Sequence, residues 1–373
     1  MSARRVTVTR APIPFRTTFK HASASRKFAE NVIVVVRDED GLIGLGEGCP
    51  RPYVTNETTQ SAEAFLNHWA GDVADGVNGV DDLRDWLARE RRSIDANPSA
   101  ACALELALLD LLARRSAVPV EGLLGLEPLT ESPRASAVYS DGAAWIFAAQ
   151  FAAFGWNGMV DAKLKLSGEP RRDLNRATRL AHRGRLRLDA NNLWPDAQSA
   201  TSALRPLARL AWAVEEPVAV RDRAAMRTVH DRTGLPVILD ESLLTVADLE
   251  GIEPGIFVAN LRVSKHGGLI RTLEVLQAAK RLSLQIVVGA QVGETSILAR
   301  AGLAAVSAVG RDLAGYEGGY GLHLLSTDLC SPSLTFGRGG AFDDTITQRL
   351  SRPGLGIELA RGSAPDGCPR GTM

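Results

Sequence analysis

This sequence predicts an α/β fold: a (β/α)7-8 TIM-like barrel behind an N-terminal α+β region. Three observations predict it. From about Arg134 onward, short apolar strands alternate with amphipathic helices, the mark of a parallel sheet. Four consecutive strands end in a charged residue, Lys165, Asp189, Glu215 and Asp240, at a pitch of about one strand–helix unit. An open doubly wound sheet would offer a Gly-rich phosphate turn after its first strand, and the sequence has none there.

The elements follow in order. Val32–Arg37 is rich in β-branched residues and reads as a strand. Asp38-Glu39-Asp40-Gly41 is its turn, and Leu42–Glu47 is the returning partner. Helical patterns occupy Thr58–Trp69, Val80–Arg91 and the strongly apolar, hence buried, Ser99–Arg114. The barrel strands are placed at Ser136–Tyr139, Met159–Leu166, Leu186–Asp189, Ala211–Glu215, Val237–Asp240, Ile256–Arg262 and Gln285–Val288. Helices are placed at Pro170–His182, Asp196–Leu207, Val220–Thr233, Val246–Glu250 and Leu269–Arg281. The expected domains are residues 1–130, 131–335 and a polar C-terminal segment, 336–373, that returns to the first.

Bulk properties narrow the function. Lys+Arg and Asp+Glu each number 43 in 373 residues, so no basic excess points to nucleic acid or a membrane surface. Cys49, Cys102, Cys330 and Cys368 form no CxxC pair, which disfavours a zinc site or disulfide framework and fits a reduced, cytoplasmic setting. The N-terminal stretch lacks the apolar core of a signal peptide. Val32–Val36 is too short to span a bilayer.

The charged strand ends carry the chemistry. At the C-terminal rim of a barrel, residues distant in sequence converge on one site. Asp189, Glu215 and Asp240 are three oxygen donors with no His or Cys nearby, which suits a hard cation, Mg2+ first and Mn2+ as an alternative. Any one of them could instead cap the next helix; three together would repel without a cation between them. Lys163 and Lys165 are two apart on one strand and so share a face. Two close ammonium groups should depress each other's pKa and prepare one as a base.

These residues together carry a resemblance. Lys163-Leu-Lys165, Asp189-Ala-Asn191, Glu215-Glu-Pro217, Asp240-Glu-Ser242 and Lys265-His-Gly267-Gly268 resemble the enolase superfamily, and within it the muconate lactonizing enzyme subgroup. The resemblance covers nearly the whole chain. It implies that residues 1–130 are a capping domain whose specificity loops are Arg16–Phe28 and Gly44–Asn56. It implies Mg2+ on Asp189, Glu215 and Asp240, Lys165 as the proton-transferring base, and Lys163 as its support. Asn191, Glu216 and Glu241 would orient these groups, and the chain would form a homo-oligomer acting on a small carboxylate.

The chain departs from the family pattern in three places. A second lysine is expected on the sixth strand, in a pattern like N-x-K-x-x-K-x-G-G. Here the first of its two basic positions is Arg262 and the second is Lys265. Arginine stays protonated and is a poor base, though it stabilises anions. On the eighth strand, Asp312-Leu313-Ala314 stands for an Asp-Leu-Asp type pattern and lacks its second acid, which argues against a dipeptide substrate. After the seventh strand, Gly289–Thr295 holds one extra residue, and Glu294 is a candidate substrate contact or helix cap. His21, Arg26 and Tyr53 are the further candidate contacts, with loop packing as the competing reading.

The expected activity is therefore Mg-dependent proton abstraction beside a carboxylate, through an enediolate, by a one-base lyase or cycloisomerase. The alternative is a racemase or epimerase of an N-acyl amino acid or related acid. A Schiff-base aldolase and a non-catalytic binding protein are the readings from other classes.

Overall fold

The computed structural model describes residues 4–360 apart from 22, 23 and 344, and the side chains of that span apart from those of residues 18–25. Cys368 and the last thirteen residues of the C-terminal segment lie outside the described residues.

Two sheets organise the chain. The first is antiparallel, in the order β1 (Arg5–His21), β2 (Ala24–Arg37) and β3 (Ile43–Gly48). β2 starts well before Val32, and of the segment Arg16–Phe28 the described residues, 16–21 and 24–28, lie on the two long strands β1 and β2 rather than in an irregular loop. The alternation there is real but its polarity is reversed. Ala29 and Asn31 face inward while Phe28 and Glu30 face out, so the hydrophobic pattern does not show it. Asn31 is inside because its amide donates to Glu47 Oε1 at 2.7 Å and to the Gly293 carbonyl at 2.8 Å. Val32–Val36 is buried on both faces, as its unbroken aliphatic run implies.

β3 lies directly on the buried helix Pro98–Arg115. A Cβ at Gly44, Gly46 or Gly48 would stand 2.0, 1.8 or 2.0 Å from the carbonyl oxygens of Ala107, Ala103 and Ser99. Alternate strand positions thus meet successive turns of one helix face, and only glycine admits that approach.

The second sheet is parallel: β4 (Ala137–Tyr139), β5 (Asp161–Lys165), β6 (Arg185–Asp189), β7 (Ala213–Glu215), β8 (Val237–Leu239), β9 (Phe257–Leu261), β10 (Gln285–Val288) and β11 (Leu313–Tyr316). Neighbours in sequence are neighbours in the sheet. The first and last strands meet where Ser136 N donates to the Tyr316 carbonyl at 2.8 Å. The helices Ala144–Trp156 and Ser296–Val309 were not expected from periodicity. Both are apolar nearly all round, so neither shows a polar face to mark its period.

Acids of the first 130 residues cap the barrel's helices. Glu105 accepts from Leu269 N and Ile270 N, at the start of Leu269–Arg281. Glu47 accepts from Thr295 N and Oγ1 and from Leu298 N, at the start of Ser296–Val309. These bonds satisfy helix donors that would otherwise be unpaired. Beyond residue 335 the chain touches the barrel first, with Ala135 N donating to the Gly340 carbonyl, and then the N-terminal region, with Leu355 N donating to Asp110. No helix among the described residues is long and apolar enough to cross a membrane.

Two outcomes follow for stability. Gly46→Ala should cost about 3 kcal/mol or more, because its Cβ meets backbone rather than a movable side chain. Chemical denaturation would measure this, and a near-neutral result would mean β3 can draw back. Glu105 is pushed up from 4.5 to about 8 by burial, against the pull of the Ile270 and Leu269 N–H groups. Its folded pKa exceeds its unfolded one, so its contribution is fully present below 4.5 and is lost as pH rises through about 8. The denaturation midpoint should fall across that window, and Glu105→Gln, which keeps an acceptor, should flatten the fall.

Candidate active site

Parallel register brings the charged strand ends side by side. Lys165 pairs with Asp189 across β5 and β6, and Asp189 pairs with Glu215 across β6 and β7. Asp240 follows the last residue of β8. All three carboxylates are buried. The loops that leave these strands are tightly bent: Asn191, Asn192 and Glu216 have φ of 47°, 58° and 40°. Left-handed backbone at non-glycine residues is held only where surrounding contacts enforce it.

Cations fill the space between the acids. Lys163 Nζ lies 3.1 Å from Asp189 Oδ2, 2.9 Å from Glu215 Oε2 and 3.3 Å from Glu317 Oε1. Lys165 Nζ lies 3.7 Å from Asp189 Oδ2, so both lysines reach the same oxygen, as their spacing implies. Lys163 is buried, while the Lys165 side chain keeps 19 % of its surface exposed. Arg262 pairs with Asp240, stands 3.7 Å from Glu215 and donates to Gln291 Oε1 at 3.2 Å. Lys265 has no exposed side-chain surface; its ammonium donates to Asp240 O and Oδ1 and to Asn260 O, at 2.8, 3.0 and 2.8 Å.

For Lys163, the neighbouring acids outweigh any depression by a nearby ammonium. Burial lowers the Lys163 pKa, but Asp189, Glu215 and Glu317 more than offset it and raise it overall. Lys163 is therefore held as an ammonium. Asp240 ends near 2: burial raises it, and Arg262 and Lys265 pull it down. Burial pushes Glu215 up to about 8 against the attraction of Lys163. The Arg262 pKa is raised, with burial opposed first by Asp240, so it is a permanent cation here.

The other expected groups sit as follows. Asn191 Nδ2 donates to Asp189 Oδ1 at 2.7 Å. Glu216 accepts from Asp240 N and from Ser242 N and Oγ at 2.7 to 2.8 Å, holding the turn that presents Asp240. Burial, then Asp240, pushes Glu241 up to about 8. Arg26 lies over the Tyr53 ring at 5.3 Å, and β1 leans on the short helix Gly321–Leu324 after β11, where Arg16 Nε donates to the Leu322 carbonyl. The His21 side chain lies outside the described residues. Glu294 accepts from Gln291 N at 2.6 Å within its own turn, whereas the helix that follows is capped by Thr295.

The eighth strand needs a correction. β11 begins at Leu313, so Asp312 enters it at the rim opposite the carboxylates and is exposed. The acid at its C-terminal end is Glu317, which sequence reasoning missed because Gly315, Gly318 and Gly319 obscure the strand pattern. Glu317 accepts from Arg187 Nη2 at 2.7 Å, and Arg187, fully buried, also donates to Ser136 Oγ and Asp161 Oδ2. The signal for Arg187 was available: it is two residues before Asp189 and shares its inward face. Gln291, the partner of Arg262, was also missed.

The donor set is three hard oxygen ligands, which fits Mg2+. Glu215 Oε2 is buried and has only an ion-pair contact, to Lys163 Nζ at 2.9 Å, with no aligned hydrogen bond, so it keeps a lone pair that such an ion would take. Among the described residues no three acidic, His or Cys side chains stand as a ready-made metal cage. What separates them is Lys163 and Arg262, so Asp189, Glu215 and Asp240 would hold the ion once Arg262 gives up its direct pair with Asp240.

Comparison with known proteins agrees with this architecture. Residues 147–363 match the "Enolase C-terminal domain-like" family model, and residues 3–125 match "Mandelate racemase / muconate lactonizing enzyme, N-terminal domain". The chain belongs to the mandelate racemase/muconate lactonizing enzyme family of the enolase superfamily. It is 26 % identical to an N-succinyl-L-Arg/Lys racemase of Bacillus cereus over 93 % of this chain and 92 % of that one. It is 24 % identical to a chloromuconate cycloisomerase of Cupriavidus pinatubonensis over 93 % of each. A dipeptide epimerase from Cytophaga hutchinsonii, solved with Mg and D-Ala-L-Val, superimposes with a TM-score of 0.83 over 97 % of this chain and 96 % of that one, at 21 % identity. That last likeness concerns the fold.

Magnesium should raise the melting temperature of the protein, by about 2.7 kcal/mol of added stability at a hundredfold excess over Kd. Glu215→Gln should shrink the shift. An equal shift in both proteins would place the ion elsewhere.

Proposed function

We propose that this protein is a magnesium-dependent enzyme that removes the proton α to a substrate carboxylate, with Lys165 as its base and one-base lyase or cycloisomerase chemistry as its outcome. The observation that carries the reading is the unequal state of the site's cations. Lys163 is locked among three acids and Lys265 spends its donors on Asp240 and Asn260, while Lys165 stays partly open at the rim. Arg262 stands where a second lysine would face the substrate, and it cannot shuttle a proton.

The residues then divide the work. Lys165 takes the proton. Lys163 and Arg262, both charged, stabilise the negative charge that develops on the carboxylate side. A bound magnesium ion supplies Lewis-acid neutralisation of that carboxylate. Glu317 keeps Lys163 in place, and Glu216 keeps the Asp240 turn in place. Arg26 and Tyr53, on β2 and a loop of the N-terminal region, are the proposed contacts for the rest of the substrate, with Glu294 on the barrel side.

A second reading is favoured by the relatives. The Bacillus cereus protein is a racemase, and an L-Ala-D/L-Glu epimerase of Clostridium acetobutylicum also matches. These matches support a racemase or epimerase of an N-acyl amino acid or related acid better than they support a lyase. That reading requires a proton carrier opposite Lys165, the position Arg262 fills.

Turnover in D2O with magnesium, followed by NMR, separates the two. Under the one-base reading, N-acyl amino acids exchange without inversion, or the true substrate loses water or changes its ring. Lys165→Ala abolishes both, and Arg262→Lys opens exchange on the opposite face. Inversion by the unmodified enzyme would establish the racemase reading and overturn the one-base one.

A further inference from the structure

Two departures of the sequence from the family pattern meet in the fold. Arg262, just after β9, stands for an expected lysine, and the Gly289–Thr295 turn after β10 holds one extra residue. Arg262 Nη1 donates to Gln291 Oε1, inside that turn, at 3.2 Å. Its Nη2 pairs with Asp240 Oδ2 and stands 3.7 Å from Glu215 Oε1. One guanidinium thus spans two of the acids proposed to hold magnesium and a neutral amide that belongs to neither.

The cations around these acids are not equally free. Lys163 also holds Glu317, and Lys265 also donates to the carbonyls of Asp240 and Asn260, so each keeps partners if the acids turn to an ion. Among the described residues, Arg262 has only Gln291 besides the two acids. Mg2+ takes its oxygens at about 2.0–2.1 Å in near-octahedral order. A guanidinium seated on Asp240 and flanking Glu215 has the charge and the place such an ion needs, so the two exclude each other.

The surroundings show where the arginine can go. Arg262 Nε, Gln291 Nε2 and Asn260 Oδ1 are all buried without a hydrogen-bond partner. Buried polar atoms are nearly always paired, so this grouping marks a side chain with better pairings within reach. Gly289 leaves the space: a Cβ there would stand 2.4 Å from Asn260 Oδ1 and 3.2 Å from Arg262 Cγ. In the turn itself, Glu294 accepts from Gln291 N through Oε1, and its Oε2 carries no hydrogen bond among the described residues. The turn therefore offers a guanidinium both an amide oxygen and a carboxyl oxygen.

We propose that Arg262 is a built-in competitor for the magnesium site, and that Gln291, with Glu294 beside it, draws the guanidinium away when the ion binds. The inference rests on the magnesium reading above. Gln291 acts through Arg262 and is a positioning residue. The ion binds only molecules whose arginine has left Asp240, so its apparent Kd is the intrinsic one divided by their fraction. The strength of the Gln291 seat sets that fraction.

Calorimetric titration of Mg2+ into the full chain, freed of metal by chelation, tests this. Arg262→Met should tighten binding by about tenfold or more, as expected when a close charge pair no longer competes. Gln291→Met should weaken binding several-fold in the parent and leave it unchanged in the Arg262→Met background, where nothing remains to be drawn away. Circular dichroism checks each fold. Arg262→Lys, read in place of Arg262→Met if that variant does not fold, keeps the charge but not the fork that reaches both Asp240 and Gln291. It too should cancel the effect of Gln291→Met. Binding no tighter in Arg262→Met, or an equal loss from Gln291→Met in both backgrounds, would overturn the proposal and leave the magnesium reading standing. Absence of binding in every protein would remove that reading and the proposal with it.

Discussion

Buried like charge is the constraint around which the barrel is arranged. Asp189, Glu215, Asp240 and Glu317 converge on one rim with little water to screen them. Such a cluster exists only if cations are built in beside it, since unpaired buried charge costs several kcal/mol per ion. Lys163 is the central one, touching three of the four acids. Arg187 extends the network to the barrel floor, and Arg262 and Lys265 close it on the Asp240 side. Electroneutrality, more than any single ligand, decides which side chains here are movable and which are not.

That balance separates the two lysines of β5. They are two residues apart and point the same way, yet one is buried among acids and the other lies partly open. Sequence spacing sees their common face but not the acids that come to meet it. The division of labour between a fixed charge and a base thus comes from tertiary contacts, and Glu317, more than a hundred residues away, is part of it.

Much of this was legible beforehand. The strand ends of the barrel are marked by apolar runs that stop at a charge, and register then places Lys165, Asp189 and Glu215 in one row. Three kinds of feature escaped. β1 and the first part of β2 hide because their inward positions include Asn31, a polar group buried to bond Glu47. Ala144–Trp156 and Ser296–Val309 hide because an apolar helix has no period to read. Glu317 hides among glycines, and its absence from view drew the eighth-strand comparison to Asp312, at the wrong end of β11.

The helix caps supplied by Glu47 and Glu105 bear on the order in which the chain can fold. Their partners lie 248 and 164 residues further along. While the chain is being synthesised, the N-terminal region therefore emerges carrying two acids whose partners do not yet exist. It can gather its sheet and central helix early, but its seat on the barrel must wait until residues near 298 have left the ribosome. Such long-range closure slows folding, and it makes the last third of the chain the part that turns two half-built units into one enzyme.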